Sequence, residues 1–159
     1  MIPTETGDEL AGVVDLFGAL TREELEAALG ELAFKRGEDV DREAARAAVD
    51  AALENYYLVA VDRNDRTILA PGPAAFPSLP EGAEDLPHIL DVPDRDPDRA
   101  SLVDAAERRL RGDAARAVDD EDEDRIERLL DVSYDLETWG GVDVGEVRTR
   151  LDDAVENHN

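Results

Sequence analysis

Forty-one carboxylates and not one cysteine set the chemistry open to this chain of 159 residues. Carboxylates in such supply could hold a cation or work in acid–base pairs. The densest run is Asp119-Asp120-Glu121-Asp122-Glu123-Asp124, but a calcium loop needs glycine at its sixth position, where this run has another acid. Asp91, Asp94, Asp96 and Asp98 alternate with proline and arginine without forming a histidine or cysteine cluster. His88 and His158 are the two histidines, and neither has a ligand partner nearby in the chain. Gly140-Gly141 leads into Val142, without the lysine and hydroxyl of a phosphate loop, and no Gly-x-Ser-x-Gly elbow is present. The sequence therefore predicts no catalytic residue, no metal ligand and no cofactor. An enzyme built on an unmarked carboxylate pair is the furthest alternative, and it would need a deep pocket with converging polar groups.

The cations are scarcer and easier to interpret. There are 17, of which only Lys35 is a lysine. Arg42 and Arg46 fall on the exposed side of an expected helix, and Arg63 and Arg66 fall at an expected turn. Those four residues are the candidate nucleic-acid contacts, and the elements that carry them decide whether they meet.

Thr21 to Ala70 reads helix, turn, helix, then two strands. Thr21 with Glu24 has the spacing of a capping box. Leu25, Ala28, Leu29, Leu32 and Ala33 then share one helical face as far as Gly37, a natural C-terminal stop. Asp41 opens the next helix, which turns Ala45, Val49, Ala52, Leu53 and Tyr56 inward. Leu58 to Val61 and Thr67 to Leu69 flank the polar stretch 62–66 as a hairpin. A lone hairpin is marginal in water, so this one needs helices against it. Thr6 with Glu9 caps an earlier helix lined by Leu10, Val13, Val14 and Phe17, which ends near Gly18. Three helices and a hairpin in this order predict a winged-helix-like domain over residues 1–76.

Seven of the eight prolines fall between Pro71 and Pro97, which rules out continuous helix there. Phe76, Leu79, Leu86, Ile89, Leu90 and Val92 recur through the same stretch. Residues 77–97 are therefore expected as a connection laid over the surface, with His88 a packing or turn residue. Residues 98–157 form a C-terminal helical segment of about three helices. Asp96-Pro97 is expected to open the first, which Gly112-Asp113 breaks or merely weakens. The acidic run starts the second, where carboxylates suit the helix dipole. Asp143 with Glu146 starts the third. Trp139 continues the stripe of Ile126, Leu129 and Leu136. Leu29, Leu53, Tyr56 and Trp139 are the expected structural anchors in a mostly α protein.

The formal net charge is −24. Residues 1–76 carry 7 basic and 16 acidic groups, and residues 77–159 carry 10 and 25. Such charge repels itself at ordinary ionic strength, whereas in molar salt the screening length falls to about 3 Å. An acid-rich, lysine-poor chain fits a halophilic archaeal cytoplasm. No apolar run approaches membrane-spanning length, and the first residues lack signal-peptide character.

Two segments, LTREELEAALGELAFKRG (Leu20 to Gly37) and YYLVAVDRNDRTILAPGPAAF (Tyr56 to Phe76), together resemble an uncharacterised family of halophilic archaeal proteins, over nearly the whole chain. That resemblance implies no activity and transfers no site residue. The front half also resembles the DNA-binding domains of archaeal transcriptional regulators, from which it departs in the acidic residues Glu43, Asp50 and Glu54 beside Arg42 and Arg46. The sequence alone favours a non-enzymatic protein acting in protein association, with a protein partner or a second copy. A DNA-binding transcriptional regulator is the alternative, disfavoured by charge because phosphate contacts supply much of DNA affinity. A continuous positive strip along the third helix and hairpin would reverse that order.

The charge generates the first prediction. The midpoint of thermal unfolding should be well above its 0.1 M KCl value in 3 M KCl; an unchanged midpoint would contradict a chain built for concentrated salt.

Overall fold

The apolar spacing of the front half closes three helices around a small sheet. The computed structural model describes residues 7–39, 41–93 and 95–156. Helix α1 (Gly7–Phe17) is followed by a two-residue strand β1 (Leu20–Thr21), then α2 (Arg22–Lys35) and α3 (Arg42–Glu54). Strands β2 (Leu58–Arg63) and β3 (Arg66–Pro71) form the hairpin. A 3₁₀ turn at Ala83–Asp85 and the short α4 (Leu86–Ile89) punctuate the proline-rich stretch. The chain then runs through α5 (Arg99–Asp119), α6 (Glu123–Gly140) and α7 (Gly145–Glu156). This is the mostly α architecture expected, with three helices and a hairpin in front of three further helices. Among the described residues, no helix is long and apolar enough to cross a membrane. The expected Thr6 cap, Asp94 and His158 lie outside the described residues.

Local chemistry sets the helix starts. Thr21 and Glu24 form the reciprocal capping box of α2. Asp41 accepts from the Ala44 amide at 3.1 Å and Asp122 from the Arg125 amide at 3.1 Å, each satisfying an orphan donor of a first turn. Two boundaries differ from expectation. Helix α5 begins at Arg99 with Asp98 as its N-cap residue, so Pro97 precedes the helix. At the start of α7, Asp143 accepts from the Gly145 amide at 2.8 Å. Gly112-Asp113 does not break α5, and Asp113 is turned inward. The polar stretch 62–66 also differs, being mostly strand: only Asn64 and Asp65 turn, both left-handed at φ 53° and 65°, as a two-residue hairpin loop requires.

The sheet order is β1-β3-β2, all antiparallel. Its hairpin is covered on both sides. Leu58 and Leu69 join the front core with Leu10, Val14, Phe17, Leu29 and Val49. Val59 and Ala70 join the back core with Leu110, Ile126, Leu129, Leu136 and Leu151. Each fully buried leucine or valine contributes about 1.5–3 kcal/mol, which is the support a bare hairpin lacks.

The proline-rich strap lies along α1. The amides of Phe76 and Ser78 donate to Asp8 (Oδ1, 2.9 Å; carbonyl, 3.0 Å), and that of Arg95 donates to the Phe17 carbonyl at 3.2 Å. The approach is close enough to demand glycine beneath it: a Cβ on Gly12 would stand 2.0 Å from the Ser78 oxygen, and one on Gly18 1.8 Å from the Arg95 oxygen. Ala83 and Leu86 plug into the front core, while His88 stays exposed.

Of the four expected anchors, Leu29 is fully buried and Leu53 is half-buried against the front core. Trp139 is half-buried at the edge of the back core, with the Arg99 guanidinium 4.3 Å above its ring. Tyr56 is buried in a left-handed conformation, φ 66°, a strain that only surrounding structure can maintain. Its hydroxyl donates to Asp113 Oδ2 at 2.6 Å. Asp113, 8% exposed, also meets Arg116, Arg125 at 3.3 Å and Arg109 at 3.5 Å. Burial, reinforced by the adjacent carboxylate, pushes the Tyr56 hydroxyl pKa far up, so it remains a donor. From α6, Arg125 donates to the Glu54 carbonyl at 2.8 Å and Arg128 to the Asn55 carbonyl at 2.9 Å. Cations thus close the C-terminal end of α3, where the dipole favours them.

Removing the Asp113 carboxylate leaves three guanidiniums and a buried hydroxyl without their acceptor. Asp113→Ala should lower stability by about 3 kcal/mol, the low end for breaking a buried ion pair because the arginines keep some water. Tyr56→Phe should cost about 1.5–3 kcal/mol for one hydrogen bond to a charged group. Urea unfolding in 3 M KCl, followed by circular dichroism and tryptophan fluorescence, reads both. Wild-type midpoints in both variants would contradict the joint.

Candidate nucleic-acid interface

The pairing of β1 with β3 places the start of α2 against the hairpin. Leu20 faces Leu69 and Thr21 faces Ile68, so Thr21, Arg22 and Glu23 line one shallow recess with Arg66 and Thr67. On one side, a recess of about 420 Å3 at the hairpin tip is lined by Arg63, Asn64, Arg66, Ile68, Arg95 and Asp96. On the other, a groove of about 310 Å3 between α2 and α3 is lined by Glu23, Glu26, Arg42 and Arg46 over Ala27, Gly30 and Ala45. Arg66 belongs to the first two recesses, and Glu23 links the middle one to the groove. The three thus form one track, lined by six arginines and three carboxylates.

The sequence-predicted residues separate into two pairs on this track. Arg42 and Arg46 share the helical groove, and Arg63 and Arg66 share the tip. Arg22 and Arg95, which sequence reasoning missed, fill the gap and the far wall. Three of the six arginines meet carboxylates: Arg22 with Asp50 at 2.6 Å, Arg46 with Glu26 at 3.7 Å, and Arg95 with Glu24 at 2.5 Å. Among the described residues, the Arg63 side chain reaches only the Asp96 carbonyl, at 3.4 Å. The side chains of Arg42 and Arg66 make no ion pair or hydrogen bond with the described residues. Glu43, Asp50 and Glu54 remain exposed along α3, so the positive lining is bounded by acid.

Arg95 and Glu24 brace this surface. Arg95 donates to both Glu24 oxygens, at 2.5 and 3.2 Å, and to the Ala19 carbonyl at 3.2 Å. Burial pushes the Glu24 carboxyl up, but hydrogen bonds from Arg95 and the Thr21 amide outweigh it and hold the pKa below its usual value. One carboxylate therefore caps α2 and fixes the strap. Elsewhere, among the described residues, no group of three or more histidines, aspartates and glutamates could hold a metal ion.

A family of unknown function, DUF7109, matches residues 8–156, and the chain belongs to it. No curated protein matches the chain. No solved structure matches it either.

Because folding lowers the Glu24 pKa, its ionised form adds stability above the ordinary carboxylate range, and that stability is lost as pH falls through the lowered value. Gln at this position keeps the cap but not the charge. In 3 M KCl, wild type should melt above Glu24→Gln at pH 7, and the gap should close below about pH 4. A gap unchanged to pH 2.5 would contradict the role given to the charge.

Proposed function

We propose that this member of the DUF7109 family is a non-enzymatic, winged-helix-like protein that binds duplex nucleic acid through the face formed by α2, α3 and the hairpin. The carrying observation is the arginine-lined track, formed in a chain with 41 acids and 17 basic residues. The element order helix, strand, helix, helix, hairpin supports the winged-helix reading. In that geometry α3 approaches the major groove while the hairpin reaches the backbone. Arg42 and Arg46 stand in the first turns of α3, and Arg63 and Arg66 at the hairpin tip, which suits that division of work.

The −24 charge opposes approach to DNA in dilute buffer. It fits a salt-rich, halophilic archaeal cytoplasm, where repulsion from distant acids is screened within a few ångströms while contacts at the surface persist. Phosphate contacts also weaken with salt, so affinity in this setting rests on fixed geometry as much as on charge.

Protein association is the second reading, and a separate observation favours it. Phe34 and Phe76 are 79% and 80% exposed, in a chain with only three phenylalanines. Aromatic side chains left out of a core in this way suit a protein contact.

Binding of a genomic fragment library, followed by fluorescence anisotropy across KCl concentrations, separates the two. Wild type should retain duplex fragments. Arg42→Ala/Arg46→Ala and Arg63→Ala/Arg66→Ala should each weaken all fragments and reduce the salt slope, by about one unit for each phosphate no longer neutralised. No retention by wild type at any KCl concentration would remove the nucleic-acid reading. If Phe34→Ser/Phe76→Ser then abolished self-association seen by light scattering, the association reading would replace it.

A further inference from the structure

Arg63 and Arg66 are direct cross-strand partners in the hairpin register. Like charges placed opposite one another are destabilising. Carboxylates outnumber cations by 41 to 17 in this chain, so the pair could easily have been one of opposite charge. The neighbouring acid does not relieve it: Asp62 accepts a hydrogen bond from the Thr67 hydroxyl at 2.7 Å. The Arg66 side chain has no partner among the described residues, and that of Arg63 has only the carbonyl of Asp96. Arg95 forms a third side of the same recess, its side chain 14% exposed and fixed by Glu24 and Ala19. Asn64 adds an amide, Ile68 adds apolar surface, and among the described residues Asp96 is the one carboxylate in the lining.

We infer that this tip recess is a seat for one phosphoryl group, held between the guanidiniums of Arg63 and Arg66 against the wall made by Arg95. Guanidinium forks match phosphate oxygens bidentately, and a bound dianion or diester turns the Arg63–Arg66 repulsion into shared attraction. The inference rests on the nucleic-acid reading for its macromolecular ligand, a backbone phosphodiester. A free phosphate monoester has the same chemistry and is the other source.

The test uses the full-length, isotope-labelled protein titrated with inorganic phosphate at constant ionic strength in KCl, read from arginine side-chain and backbone amide resonances. Phosphate should move the signals of Arg63, Asn64, Arg66, Ile68 and Arg95 together, with one saturating curve. Arg66→Ala should weaken that binding about tenfold, by loss of one charge-assisted partner, while Arg150→Ala leaves it unchanged. Equal shifts at Arg108 and Arg150, or no saturable shift at the tip, would overturn the seat. In a second arm, a short duplex is added to the phosphate-loaded protein. Displacement of phosphate assigns the seat to a backbone phosphodiester. Saturable phosphate binding without any duplex binding leaves the seat standing for a free phosphate ester and removes the nucleic-acid reading alone.

Discussion

The contact between Tyr56 and Asp113 is the constraint on which the rest of this structure depends. It joins the end of α3 to the middle of α5, and four groups converge on one buried carboxylate. A charge so placed is stable only with its partners present, so α5, α6 and the turn after α3 must assemble together. Arg125 and Arg128 extend the same joint by closing the last carbonyls of α3. The left-handed backbone at Tyr56 redirects the chain straight into β2. The strained residue, the helix end and the hairpin start are therefore fixed at one point, and the hairpin that follows is buried on both faces.

That arrangement explains how so short a hairpin can present side chains in a defined place. Its base is enclosed by two cores, and its tip carries Arg63 and Arg66 outward. The strap supplies the remaining wall. Its Arg95 is tied to Glu24, which also caps α2, so the start of α2 and the strap share one ion pair. A similar clasp closes the far end of the molecule, where Glu137 accepts from the Val144 amide and from Arg148, both at 2.9 Å. The arginine track thus sits on a braced side of the front half.

Much of the fold was legible in the sequence because its signals are local. Thr21 with Glu24, Asp41 and Asp122 mark helix starts through side chains that bond their own first turns. The hairpin was legible from two β-forming runs, though its true turn is only Asn64-Asp65. What the sequence hid depends on long-range pairing. The two-residue β1 has no periodicity to detect, yet it brings Arg22 beside Arg66. Arg95 lies in a proline-rich stretch whose path along α1 nothing local specifies. Arg22 and Arg42 both stand at the first position of a helix, where the dipole disfavours a cation, but Arg99 does so outside the track, so that local signal does not single the track out. Asp113 could not be told from the other acids by sequence, since only its burial sets it apart.

The central claim is that both halves hold the hairpin and hence the arginine face as one cooperative unit. Native-state hydrogen exchange in concentrated KCl tests it most directly. Amides of Val59 to Val61 and Ile68 to Ala70 should open with the same free energy as those of Leu110 to Ala114 and Ile126 to Leu129. Exchange of the α5 and α6 amides at a much lower free energy, with the hairpin still protected, would show that the front half stands alone and would contradict the account.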